Sequence, residues 1–178
     1  MAKTQNPEDK NSLQPISFEE VTSPSGNRVL IPKCNLIFRK WEGTPIENTY
    51  NNKTVIDFDG QPLFAELAIL KILQKEGWNG VWVDSYRSKY RIDLPEKGTV
   101  VELPNIQEEF IQNIKSRTGK RGGCWDVFVW KDGEYKFAES KRSKKDELRS
   151  NQLLWLQETL KLGLKLESFL LVEWDLGS

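Results

Sequence analysis

Three features of the chain predict an α/β fold, a mixed β-sheet flanked by helices. Helical periodicity recurs in three segments, β-like apolar runs lie between them, and the order is helix–strand–helix–hairpin–helix–strand. At 178 residues the chain can bury one substantial core, which favours a single domain over two small ones.

Residues 1–27 are polar, rich in Pro, Ser and Asn, and read as a flexible tail before a domain spanning 28–178. Residues 28–59 contain short apolar runs, Arg28–Ile31 and Val55–Phe58, between turn-prone stretches. They read as irregular segments wrapped over the core. The first helix is expected from Pro62 to Glu76, with Pro62 in its opening turn and Gly77 as its stop. Leu63, Leu67, Leu70 and Leu73 form its buried stripe, widened by Ile69 and Ile72. Glu66 interrupts that stripe and has two readings. One is an exposed acid favoured by the helix dipole, the other a third carboxylate turned toward a site.

Gly80–Tyr86 reads as a strand and Gly98–Leu103 as another short β-run. Asn105 is placed to cap a second helix ending near Arg117, with Glu108 completing a capping box and Gly119 closing it. Ile106, Phe110, Ile111 and Ile114 supply its buried side. Lys131-Asp132-Gly133-Glu134 then reads as the turn of a β-hairpin, because Asp-Gly adopts the left-handed conformations a tight reversal needs. A third helix is expected from Ser150, its cap, to Leu162, with Gly163 ending it and Leu153, Leu156 and Leu160 on one side. Leu166–Trp174 reads as the last strand.

Composition narrows the chemistry. Histidine is absent, which excludes His-based zinc sites, His general bases and the usual catalytic triads. The two cysteines, Cys34 and Cys124, make neither a disulfide framework nor a metal cluster. No secretory or membrane-spanning run is evident, so an intracellular location is expected, in the cytoplasm or inside a host cell, with no membrane partner. Formal net charge is zero, but residues 115–149 carry 11 Lys/Arg against 6 Asp/Glu, a local excess that attracts phosphates.

Within that segment the hairpin brings two carboxylates together. Asp126 lies at the start of one arm, and Glu139-Ser140-Lys141 lies in the other, with Glu139 and Lys141 on one face and Ser140 on the opposite one. Two carboxylates can share a divalent cation, and without histidine the ligands are oxygens, which suits Mg2+ or Mn2+. Asp126 and Glu139 would be direct ligands, with the Ser140 backbone carbonyl as a further oxygen. Lys141 would orient a water and stabilise negative charge. Gln152 is placed to position a water or phosphate, whereas Trp155 reads as a packing anchor. Lys120, Arg121, Arg142, Lys144, Lys145 and Arg149 are the phosphate-contact candidates.

Gly123-Cys-Trp-Asp126, Phe137-Ala-Glu-Ser-Lys141 and Asp146-Glu-Leu-Arg-Ser-Asn-Gln-Leu-Leu-Trp-Leu156, with Gly163 downstream, together resemble the PD-(D/E)xK nuclease superfamily. The likeness is to its virus-type replication-repair nuclease branch and covers about residues 119–174. The chain departs from the nominal motif at Trp125, where the family has proline before the aspartate. The resemblance implies a restriction-endonuclease-like fold with Asp126 and Glu139 binding metal, Lys141 assisting hydrolysis and Gln152 completing the site. It implies Glu66 as a helix acid acting through water. It further implies a Mg2+- or Mn2+-dependent deoxyribonuclease working on DNA, including branched or flapped DNA, sometimes as a homodimer. A binding or assembly module without turnover and an RNA-processing nuclease are the alternatives.

Overall fold

The computed structural model describes residues 13–50 and 52–178, and in it ten strands form one mixed sheet with helices on both faces. The strands are β1 (Ser17–Thr22), β2 (Arg28–Lys40), β3 (Ile56–Phe58), β4 (Gln61–Leu63) and β5 (Asn79–Asp84). They continue with β6 (Lys89–Arg91), β7 (Val100–Val101), β8 (Val127–Lys131), β9 (Glu134–Arg142) and β10 (Phe169–Leu176). The helices are α1 (Ala65–Lys75), α2 (Asn105–Thr118) and α3 (Ser150–Lys161). Across the sheet the order is β4-β3-β2-β10-β9-β8-β5-β6-β7, with β1 paired to β2. Among the described residues, only the two joints of β10, with β2 and with β9, are parallel. Parallel neighbours need a crossover connection, and α3 supplies it between β9 and β10.

Strand alternation divides the core into two layers. Val127, Val129, Ala138, Leu170 and Val172 face α1, where Leu67, Leu70 and Leu73 are almost fully buried. Phe128, Phe137, Phe169 and Leu171 face the opposite way, onto Ile111 and Ile114 of α2 and Trp155 and Leu156 of α3. Trp155 is wholly buried and stands edge-on to Phe137 at 5.9 Å, so it is the packing anchor its apolar surroundings suggest.

Several boundaries differ from the sequence reading. Residues 17–22, expected in a tail, form β1, which pairs with β2 from Ser17↔Lys33 to Thr22↔Arg28, and Leu13 is buried. Residues 1–12 lie outside the described residues. The stretch after Arg28, expected to be irregular, contains the longest strand, β2. Pro32, Lys33 and Asn35 break up its apolar pattern, yet its parallel pairing with β10 fixes it inside the sheet. Pro62 belongs to β4 and not to a helix: α1 begins at Ala65, and its end at Gly77 (φ 92°) is as expected.

In α2 no capping box forms, because Asn105 is the first helical residue and Pro104 takes the cap position; the Glu108 carboxylate accepts from Gln112 Nε2 (2.7 Å). Ile106 is exposed rather than buried. Ser150 is the first helical residue of α3 and not its cap. The amide of Arg149 donates instead to Gln152 Oε1 at 3.0 Å.

Candidate active site

The hairpin places the acidic pair. Asp132 (φ 51°) and Gly133 (φ 78°) both adopt left-handed conformations, as a two-residue reversal requires, and Lys131 pairs with Glu134. That register carries through to Val127↔Ala138, so Asp126 and Glu139 sit one step beyond the last pair. They exchange backbone contacts. The Asp126 amide donates to Glu139 Oε2 (2.9 Å), and the Ser140 amide donates to Asp126 Oδ2 (3.0 Å). A strand residue's N–H and C=O point to the same edge, so the Ser140 carbonyl also faces Asp126. The Ser140 side chain turns to the other face, where its Oγ accepts from Trp174 Nε1 at 2.8 Å.

Glu139 is the hub of a buried polar network. Only 2% exposed, it takes Lys141 Nζ (3.0 Å) and Gln152 Nε2 on Oε1. Lys141 Nζ also donates to Gln152 Oε1 at 3.2 Å. Gln152 thus joins the hairpin to the first turn of α3, and Asp126, Glu139, Lys141 and Gln152 come together as expected. A carboxylate offers about four acceptor positions and an ammonium three donors. Glu139, with three donors on it, keeps one acceptor position, and Lys141 keeps one N–H.

The loop before Asp126 is clamped to α3. Trp125 is fully buried, stands edge-on to Phe169 at 5.0 Å, and donates its indole N–H to the Gln152 carbonyl (3.2 Å). In place of a proline's fixed backbone angle, an indole anchor holds Asp126 at the helix end. Gly123 (φ 88°) makes this approach feasible, because a Cβ there would lie 2.5 Å from the Asn151 carbonyl oxygen. Gly123→Ala is expected to cost about 1–3 kcal/mol by overpacking. That should appear as a melting temperature lowered by roughly 2–4 °C per kcal/mol, measured by circular dichroism.

Glu66 reaches the same end of the sheet from α1 and is buried. It ion-pairs with Lys53, a residue without any signal in the sequence. Lys53 lies in an Asn-rich loop with no periodicity, and only the folding of that loop over α1 brings it in. Burial alone would lower the Lys53 pKa, but Glu66, Asp126 and Glu139 outweigh it and hold the ammonium above its ordinary value. The Asp126 carboxyl is pushed well above the usual range by burial and by the nearby Glu139 and Glu66 charges, which Lys53 only partly offsets. Burial also raises the Glu139 carboxyl, against the pull of Lys141. Two residues before Asp126, burial pushes the Cys124 thiol up from its ordinary value, which disfavours the thiolate.

Two clefts open beside this network. One, of about 500 Å³, is lined by Asp126, Glu66 and Lys53 and also by the exposed Arg149. The other, of about 250 Å³, is lined by Lys141, Arg142 and Lys144 together with Glu19, Glu147 and Glu173. Neither lining includes Glu139. Among the described residues no group of three or more Asp, Glu, Cys or His side chains is arranged to hold a metal ion. An ion here would therefore need the Ser140 carbonyl, or water held by Glu66, beside the Asp126 and Glu139 carboxylates. These are all hard oxygen donors.

The basic candidates separate. Lys120, Arg121, Lys144, Lys145 and Arg149 are exposed. Arg142 is half-buried and committed, donating from Nη1 to Thr54 Oγ1 (3.0 Å) and lying over the Trp174 ring at 5.5 Å. Lys144 shares its cleft with glutamates, which weakens it as a phosphate contact. Among the described residues no helix is long and apolar enough to cross a membrane. Comparison with protein-family models, with curated proteins and with solved structures finds no match.

Proposed function

We propose that this chain is a divalent-metal-dependent nuclease with a restriction-endonuclease-like fold, hydrolysing DNA phosphodiester bonds in replication, repair or recombination. The observation that carries the reading is the Asp126–Glu139–Lys141–Gln152 network at the adjoining ends of β8 and β9, built around one buried carboxylate. A network of this kind is a costly way to stabilise a fold, because its ionised groups are removed from water.

The residues fit Mg2+ or Mn2+. Asp126, Glu139 and the Ser140 carbonyl would hold the ion, with Glu66 acting through water. Asp126 and Glu66 bear mutually repelling charge that a cation relieves. When bound, such an ion stabilises charge on a phosphodiester and acidifies water. The chain's own groups supply the rest. Lys141 has one N–H free for an attacking water or a phosphate oxygen. Gln152 holds both Lys141 and Glu139 in place, and Trp125 ties the Asp126 loop to the same helix turn. Arg149 stands where it can meet the substrate backbone. One active site cleaves one strand at a time, so paired cuts would be made most directly by two symmetry-related copies.

A second reading, a nucleic-acid-binding module without turnover, is favoured by one observation: neither cleft lining includes Glu139. The test is purified protein with labelled linear, flapped and four-way DNA and with RNA, each with and without Mg2+ or Mn2+. Metal-dependent cleavage of DNA supports the nuclease and identifies its preferred architecture. Binding without cleavage supports the second reading. Cleavage confined to RNA moves the substrate to RNA.

A further inference from the structure

The larger cleft extends outward from Asp126 to the turn between β5 and β6, and this outer end is built unlike a solvated loop. Its floor is Asp84, 2% exposed, with a carboxylate already satisfied. Oδ2 accepts from the Tyr50 hydroxyl (2.8 Å) and from Arg91 Nε (2.9 Å), and Oδ1 accepts from the Arg87 amide (3.3 Å). The buried Arg91 offsets the Asp84 charge, so the floor does not repel an anion. Above it the Arg87 guanidinium lies 4.0 Å from the centre of the Tyr50 ring. Tyr86, beside it, is 82% exposed in the lining, and Arg149 faces the cleft as well. The outer end therefore offers an aromatic face and two guanidinium groups, while the inner end offers carboxylates.

We infer that this cleft holds one unpaired nucleotide beside the scissile phosphate, its base stacked on Tyr86 and Arg87 and its backbone met by Arg149. The inference rests on the nuclease reading for the position of that phosphate. At about 500 Å³ the cleft is of the size that takes a small ligand. A base must leave its helical stack before an aromatic side chain can stack on it. DNA with a flap, a gap or a single-stranded end is therefore favoured, because its base is already free of the unpairing cost that a duplex would pay. No base-edge reading is implied, because stacking and phosphate contacts tolerate any sequence.

The test measures binding of the full chain with Ca2+ in place of Mg2+. The probes are a single-strand-flapped DNA, with 2-aminopurine at the first unpaired position, and a blunt duplex of matched length. Tyr86→Ala should weaken flap binding roughly 5- to 150-fold, the range for losing one stacked base, and abolish 2-aminopurine quenching. Duplex binding should not change, and Tyr86→Phe should restore the flap affinity. Equal losses on both DNAs, or no loss on either, would overturn the inference. So would a wild-type protein that binds neither DNA, and that outcome would sink the nuclease reading too. Tyr86-dependent flap binding by a protein that never cleaves with Mg2+ would leave this site standing and remove only the catalytic reading.

Discussion

Glu139→Gln is expected to leave the protein folded while lowering metal-dependent cleavage by at least roughly 100- to 1,000-fold, the scale on which one preorganised charge-stabilising group acts. The amide oxygen can still accept from Lys141 and Gln152, but the NH2 then faces the Asp126 amide. The negative charge that a cation and Lys141 both use is lost, so the variant should melt below the wild type while staying folded. Glu139→Ala is a different experiment. It leaves Lys141 and Gln152 buried without their partner, and breaking a buried ion pair in this way costs about 3–5 kcal/mol. At roughly 2–4 °C per kcal/mol, the alanine variant should melt well below the wild type. Its inactivity would then report folding as much as chemistry. Circular dichroism melts run beside cleavage assays separate the two, and a glutamine variant that cleaves at wild-type rate removes Glu139 from the mechanism.

Asp126→Asn is expected to abolish cleavage and, in metal-free protein at neutral pH, to raise the melting temperature. The sign follows from the raised Asp126 carboxyl. A carboxyl whose folded pKa exceeds its unfolded value binds protons more strongly in the folded state. Stability therefore falls as pH rises from the unfolded value through the folded one, and the cost is fully present above it. The amide bears no charge and escapes that cost, while its oxygen can still accept from the Ser140 amide. The gain should be largest near pH 7–8 and shrink as pH falls toward 4. Adding Mn2+ should stabilise the wild type by binding the folded state and leave the variant unmoved. Thermal melts in chelator from pH 4 to 8 measure this. A variant less stable than wild type at pH 7 would mean that Asp126 is not under the charge strain its neighbours imply.

Much of the site was legible because it is local. The Asp-Gly turn sets the hairpin register, and that register alone aligns Asp126 with Glu139 and puts Ser140 on the opposite face. Gln152 was legible because it opens the next helix. The role of Trp125 was not. Its indole works through a contact with Gln152, a pairing across 27 residues that no spacing rule exposes. Lys53, Tyr50 and Arg87 were missed for the same reason, since their neighbours are remote in sequence and their own segments lack periodicity. At the level of the fold, the mixed α/β layering and all three helices followed from hydrophobic period. Strands β1 and β2 did not, because polar residues and Pro32 interrupt the alternation, and long-range pairing with β10 overrides local preference there.

The most direct test of the central claim is a single-turnover reaction on flapped DNA with wild-type and Glu139→Gln proteins side by side, in Mg2+ and in chelator. The nuclease account predicts cleavage by the wild type in Mg2+ alone, with the other three reactions silent. Cleavage in chelator, or equal cleavage by the two proteins in Mg2+, would contradict it.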